Sequence, residues 1–449
     1  MNEVTRTTRR DHPTAIALYL PQFHPMPEND AWWGPGFTEW RNVVAARPLF
    51  PGHDQPRIPR EFGFYDLRIP EIRDAQARAA LDHGIDAFCY YHYWFEGHRP
   101  MRLVVDDVLD RDIPNIPFCL AWANENWSRH WDAASREVLL EQRYSSEDDE
   151  THGAFLLRAM KHRLYLRIDG RPVFFIYRIQ ALPNPSATLE RWRQIWRDGG
   201  LPDVHVVKFD THGNTDAPFT FGADAAATFL PHGMDRTVDE IPDRAAYGGN
   251  RVWQYSDVAR AYLAAKAPEW TRYECVFPSW DNTPRRSDGR SIVVHGSTPQ
   301  VYEDWLSKVR ARTPANGLII INAWNEWAEG AYLEPDLRHG LAYLEATARA
   351  LGRTLPPPSP LSMPVEIADT LASRERLAQL YLDASENQAR LQRRLSRLEA
   401  SFRRQVDDAE RRGREEAGEM RAQAAEFATE IERLRRKLEK LSPSTKQQR

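Results

Sequence analysis

Apolar residues in this chain gather in short continuous runs. Eight of these read as strands: Ala15–Leu20, Ile85–Tyr91, Pro117–Trp122, Pro172–Tyr177, Val204–Phe209, Ala225–Phe229, Tyr273–Phe277 and Gly317–Asn322. A strand with one wet face alternates apolar and polar residues, whereas a continuous run fits a strand covered on both faces, as in a parallel sheet. Segments of helical spacing separate several runs. Ile69–His83 carries Pro70 in its first turn, where the missing N–H costs nothing. Asp148–Leu166 has apolar positions near helical spacing, Ala187–Asp198 ends at a Gly-Gly pair, and Pro299–Ala311 follows the N-capping residues Ser297 and Thr298. Alternating β and α elements over residues 15–354 predict an α/β fold, a (β/α)8 TIM barrel. An open doubly wound sheet is the alternative. It would want a glycine-rich turn after the first strand, and Leu20-Pro21-Gln22-Phe23 is not one.

Two segments break the pattern. Pro25–Gly63, after the first run, is rich in Trp, Pro and Gly, and reads as a functional cap over the barrel mouth. From Leu355 to Pro364 a proline-dense stretch makes a semi-rigid linker. Beyond it, residues 365–441 carry apolar positions at alternating spacings of four and three, among them Leu391, Leu395, Leu398, Phe402, Phe427, Ile431, Leu434 and Leu438. That spacing predicts a long helical coiled coil, for self-association or for a partner helix. Residues 1–14 and 442–449 are expected to be flexible or disordered ends.

Composition narrows the class. A formal net charge of −4 over 449 residues gives no reason to expect nucleic acid as a partner. The N-terminal stretch has no apolar core of a secretory signal, and no run reaches the length of a membrane span. The expected location is the cytoplasm, with peripheral contact to the inner membrane an open option. Cys89, Cys119 and Cys275 each sit in an apolar run and read as buried reduced thiols. Fifteen tryptophans, many of them clustered near the strand ends, favour a ring-lined cleft of the kind that binds sugars.

Candidate chemistry collects after the strand runs, where a barrel places its active site. His24, His92, Asn124, Glu125, Asp210, Asp281 and Glu326 follow six of the eight runs. Glu326 and Glu329 lie three residues apart, so one turn can aim both carboxyls into one cavity. Glycosidic chemistry needs such a pair, one group as acid and one as base or nucleophile. Tyr91, His92, Trp94, Asn124, Glu125, Trp127, Trp131, Trp324 and Asn325 supply rings and amides for a glycan, as do His24, Asp281 and Asn282. Glu334 suits a structural or hydroxyl-binding role. Arg285 and Arg286 suit an acidic sugar or phosphate, or simply a solvated pair. His53 reads as structural. No metal or cofactor is expected: the histidines show no ligand spacing, and Asp110-Arg111-Asp112 falls at the wrong end of a barrel strand.

The stretch Asn322–Gly330 resembles the end of the last barrel strand in the endo-α-mannosidase family of glycoside hydrolases, where an Asn-Glu-Trp-x-Glu-Gly motif carries the catalytic carboxylates. Over about residues 15–351 the chain is still more similar to WbsX-type proteins of bacterial O-antigen and capsule gene clusters, which are described as glycosyltransferases. The likeness rests on six ordered motifs: Tyr19–His24, Trp33–Trp40, Tyr90–Trp94, Trp122–Trp127, Ser279–Thr283 and Asn322–Asp336. It implies a hydrolase-type barrel with a glycan or glycan-lipid substrate, in surface-polysaccharide assembly. Glu326 would assist the substrate 2-hydroxyl, and Glu329 would act as acid and then base. Three functions follow as expectations: cleavage or transfer by the Glu pair, transfer from a nucleotide sugar, or a catalytically silent glycan-binding scaffold.

Overall fold

The computed structural model describes residues 12–128, 138–242, 244–286 and 289–355, with short helical stretches between 397 and 436. The chain divides into two compact units, residues 1–361 and 362–449.

In the first unit every expected strand forms within a residue or two of its run. They are β1 Thr14–Tyr19, β2 Ala87–His92, β3 Phe118–Trp122, β4 Arg171–Ile176, β5 His205–Asp210, β6 Ala225–Thr228, β7 Arg272–Val276 and β8 Leu318–Ile321. All pair in parallel in the order β3-β2-β1-β8-β7-β6-β5-β4, and β4 pairs back onto β3, which closes the barrel. Ile16 of β1, for example, lies between Ala87 of β2 and Ile320 of β8. Every residue of β1, β2, β3 and β8 is buried, which explains the unbroken apolar runs. Each fully buried Val, Leu, Ile or Phe contributes about 1.5–3 kcal/mol to that closure.

Seven helices follow strands: α1 Pro70–Asp82, α2 Leu103–Arg111, α3 Ser146–Met160, α4 Pro185–Asp198, α5 Tyr255–Ala264, α6 Pro299–Arg312 and α7 Ala342–Ala350. Their starts are chemically marked. Ser145, Asn184 and Thr298 each accept a backbone N–H at the head of α3, α4 and α6. Among the described residues the β5–β6 link holds only a 3₁₀ turn, Pro218–Phe221, so one of the eight repeats lacks its helix. Tyr19 donates to Gln76 of α1 at 2.7 Å, and Phe88 and Tyr90 pack on the Tyr19 ring, an aromatic layer between barrel and helices.

The insert after β1 differs from the expected structureless loop. It holds two short helices, Pro27–Trp33 and Trp40–Ala45, and packs into the strand ends. A small three-stranded sheet, Trp280–Asp281, Ile292–His295 and Arg251–Gln254, comes from the segments after β6 and β7.

In the second unit Leu398 and Ile431 pack against Leu434, which is buried. One straight helix from residue 398 to 434 would hold these residues about 54 Å apart. The apolar stripe therefore meets itself within one chain at this point. The proline-rich linker and most of the remaining stripe fall outside the described residues.

Candidate active site

After β8 the chain makes a small hairpin. Asn325 and Glu326 pair antiparallel with Tyr332 and Ala331, and a 3₁₀ turn, Trp327–Glu329, joins the two sides. Gly330 closes the turn at φ 60°, and a Cβ there would meet Arg57 Nη1 at 2.8 Å, so both backbone shape and space require glycine. The hairpin presents Glu326 and Glu329 to a cleft of about 600 Å³ at the C-terminal end of the barrel.

Arg285 lies between the two. Its Nη2 is 2.9 Å from Glu326 Oε2, its Nη1 is 2.6 Å from Glu329 Oε1, and its Nε and Nη2 hold both oxygens of Glu39. Burial works against the guanidinium charge, but the carboxylates of Glu39, Glu329 and Glu326 outweigh it. One cation thus serves three carboxyls. Burial pushes Glu326 up to about 8, against the pull of Arg285 and with Glu329 and Glu39 adding to the rise. Glu329 rises too, chiefly through burial and secondly through Glu39, again opposed by Arg285. Burial thus pushes both carboxyls toward the protonated form, and the charge on each bears on the titration of the other.

Aromatic and polar side chains from other strand ends line the rest of the cleft. Tyr91 lies near the end of β2 and Tyr93 follows it, Trp127 follows β3 and Tyr177 follows β4, while Trp253 and Trp280 come from the small sheet. Trp127 is only half-buried and is held edge-on by Trp32, Tyr93 and Phe95. Glu125 also lines the cleft. Burial raises its carboxyl, but His212 and Arg178, each 3.1 Å away, outweigh that and lower it. Rings beside hydroxyls and carboxyls suit the C–H faces and hydroxyls of a sugar.

The structure brings Glu326, Glu329, Tyr91, Glu125, Trp127 and Asn282 together on this cleft. The other expected site residues stand behind its wall. Asn325 clamps β1 to the hairpin, accepting from Leu20 N at 2.7 Å and donating to Leu20 O at 3.0 Å. Asn124 does the same for the β3 and β4 ends, accepting from Arg178 N and donating to Arg178 O, both at 2.8 Å. Trp324 is fully buried against Phe88. His92 meets His152 at 3.0 Å in a dry aromatic layer, and burial drives both imidazoles well below their usual range. Trp94 stacks on His152 and donates to Asp148 at 2.8 Å. His24 is buried outside the cleft lining, and burial lowers it as well.

Asp281 is wholly buried. It takes hydrogen bonds from His53 and Gln55, each at 2.7 Å, and from Thr283. Burial opposes its charge, but His53, Arg57 and Gln55 outweigh that and hold it at about 2. Glu334 accepts from Trp327 Nε1 at 2.6 Å, Tyr65 at 2.8 Å and Gln76 at 2.6 Å; burial pushes it up to about 7. It thereby anchors the indole that sits between Glu326 and Glu329. Asp210 is spent on the buried Lys208, 2.8 Å away. Trp131 lies outside the described residues.

Two charged residues gain a different place from the one their sequence suggested. Arg285 is no solvated arginine but the hub of the carboxyl cluster, while Arg286 remains exposed at the cleft edge. Glu39 stands at the tip of a quoted motif, yet nothing in its spacing points to Arg285, 246 residues away. Asp110 and Asp112 lie at the end of α2 and pair with Arg158 and Arg163 on the helical layer. Among the described residues no group of three His, Cys, Asp or Glu side chains is placed to hold a metal ion, and no helix is long and apolar enough to cross a membrane.

The sequence profile of the family "Glycosyltransferase WbsX" matches residues 15–347. The chain is 43% identical over 353 residues to "Uncharacterized protein WxcX" from two strains of Xanthomonas campestris pv. campestris, covering 76% of this chain and 50% of the relative. It therefore spans about half the length of the curated relatives it matches. A solved glycoside hydrolase-like protein shares the fold, with a TM-score of 0.52 and 14% identity over 79% of this chain and 97% of that one. The GH99 endo-alpha-mannosidase from Bacteroides thetaiotaomicron aligns with a TM-score of 0.48 and 16% identity, over 76% and 97%. The family is described as one of glycosyltransferases, and the structural likeness shows the fold. The matched region takes in the barrel and every residue of the carboxyl cluster, and on that extent the chain belongs to the WbsX glycosyltransferase family.

Proposed function

We propose that the chain cleaves or transfers glycosidic linkages in bacterial surface-polysaccharide assembly, with Glu326 and Glu329 as the catalytic pair. The observation that carries this reading is the pair itself. Two carboxyls on one turn line an aromatic cleft, share a single arginine and are both raised by burial. A raised carboxyl can hold the proton that a leaving glycosidic oxygen needs, and the reaction starts from the form with that proton on Glu329 and with Glu326 ionised. In the reaction, Glu326 takes the proton of the substrate 2-hydroxyl as that oxygen attacks the anomeric carbon. Glu329 gives its proton to the departing oxygen. Glu329 then removes a proton from water, or from an acceptor hydroxyl, as that nucleophile opens the three-membered ring, and Glu326 returns its proton to the 2-oxygen so that the 2-hydroxyl re-forms. Water gives hydrolysis and a sugar gives transfer. The rings around Trp127 hold the glycan.

The family's description favours a second reading, transfer from a nucleotide sugar. Incubation with α-mannosides and, separately, with nucleotide sugars distinguishes the two. Released or transferred sugar without nucleotide supports the Glu-pair chemistry. Released nucleotide supports the donor reading. Neither product across a broad panel would leave a glycan-binding scaffold.

A further inference from the structure

Glu39 reaches the carboxyl cluster from the insert after β1, a part of the chain remote from both glutamates. Its side chain is buried, yet it satisfies nothing in its own helix: it sits at the N-cap of Trp40–Ala45 without a capping hydrogen bond. Both of its oxygens go instead to Arg285, on the Nε and Nη2 edge of the guanidinium. A two-point contact of this kind fixes the plane of the guanidinium. With that edge held, Nη2 still reaches Glu326 and Nη1 reaches Glu329. The adjacent Trp40 packs on Trp327, the indole between the two glutamates, and its Nε1 is tied to Tyr65 O at 2.8 Å. The insert thus meets the hairpin through Trp40, and through Glu39 it holds the arginine that bonds both glutamates.

Resting on the catalytic reading above, we propose that Glu39 is a positioning residue, which sets the orientation of Arg285 and the share of its charge that reaches Glu326 and Glu329. Stability alone does not account for it. A buried ion pair is often replaceable by apolar residues without loss, and a structural pair needs one carboxylate where Arg285 holds three. The charged groups facing the pair are Arg285, Glu39 and, beyond contact, Arg286, which lowers Glu329. Tyr91, Tyr93 and Tyr177 face it as well, and burial keeps their hydroxyls protonated. Glu39 raises both glutamates, so removing its charge leaves them the undivided pull of Arg285.

Glu39→Gln tests this, because it keeps the shape and discards the charge. In the full chain with ¹³C-labelled glutamate, the carboxyl signals assigned to Glu326 and Glu329 by their own Gln variants should titrate about one pH unit lower in Glu39→Gln than in wild type. Glu39→Asp, which keeps the charged carboxylate on a side chain one methylene shorter, should restore most of that difference. This readout needs no substrate, so it stands or falls apart from the catalytic assignment. Where turnover is measurable, the alkaline limb of kcat/KM should move to lower pH with KM nearly unchanged. Unchanged titration of both glutamates in Glu39→Gln, with or without a lower Tm, overturns the proposal and leaves Glu39 a structural ion pair.

Discussion

Arg285→Ala isolates the carboxyl cluster without any knowledge of the substrate. The guanidinium touches Glu39, Glu326 and Glu329, and the Glu39 and Glu326 side chains are 2% and 6% exposed. Without it the three carboxyls face one another in a desolvated pocket, and the cheapest relief is to bind protons. In the unfolded chain a glutamate ionises near 4.3, so keeping one protonated in the folded state at pH 7 costs about 1.36 kcal/mol for each of about 2.7 pH units, or ~3.7 kcal/mol. That figure agrees with the about 3–5 kcal/mol expected when one partner of a buried ion pair is removed. The sign follows from proton binding. Arg285 opposes the rise of both glutamates, so its loss lifts them further. The folded variant then holds protons that the unfolded chain has released. Its stability relative to wild type falls as pH climbs above about 4.3 and is regained on acidification. Urea denaturation of both proteins at half-unit steps from pH 4.5 to pH 8 measures this directly. The variant should be less stable by about 3–5 kcal/mol at pH 7 and should recover most of that deficit by about pH 5. A deficit of the same size at every pH would mean that Arg285 contributes packing alone, and the electrostatic account of the pair would be refuted.

Glu326→Gln and Glu329→Gln should each lower turnover by about 10²–10⁴ with little change in denaturation midpoint; wild-type rates in either variant would remove that residue from the catalytic pair. Trp127→Ala should weaken glycan binding at nearly constant stability, because its ring lines the cleft. Trp94→Ala should do the opposite, costing about 3–5 kcal/mol of stability while the folded fraction keeps its affinity; calorimetry with and without ligand separates the two, and reversed outcomes would exchange their roles. A chain ending near Pro364 should be monomeric and keep its action on small substrates, whereas the full chain should associate through the part of its stripe not closed within one chain. Light scattering of the full chain and of Leu438→Asp checks this, and a monomeric full chain would reject self-association.

The barrel was legible because its determinants are local. Burial on both faces demands apolar residues at every position of a strand, and such runs as Leu318–Ile321 stand out in any polar surrounding. Caps such as Asn184 and Thr298 bond to backbone two or three residues away, so they too mark themselves. That Glu326 and Glu329 face one cleft was legible for the same reason: three residues on one turn fix their common direction. The type of residue at a strand end, by contrast, does not tell which way its side chain points. Asn124, Asn325 and Asp281 carry the polar groups of a sugar site, yet they spend them on the backbone and side chains of neighbouring segments. A buried amide or carboxylate and a ligand-binding one are the same residue until its neighbours are known. Tryptophan divides likewise, Trp324 into the core and Trp127 into the cleft. What the chain alone withheld most completely was the charge balance of the site. Glu39, Arg285 and Glu326 are separated by hundreds of residues or by a whole helix and strand, and only barrel closure brings the insert after β1 against the hairpin after β8. Electrostatic coupling falls off over a few ångströms in space and takes no account of distance along the chain. Sequence therefore determined which groups were available for chemistry, and the tertiary structure decided which of them lie close enough to act on one another's charge.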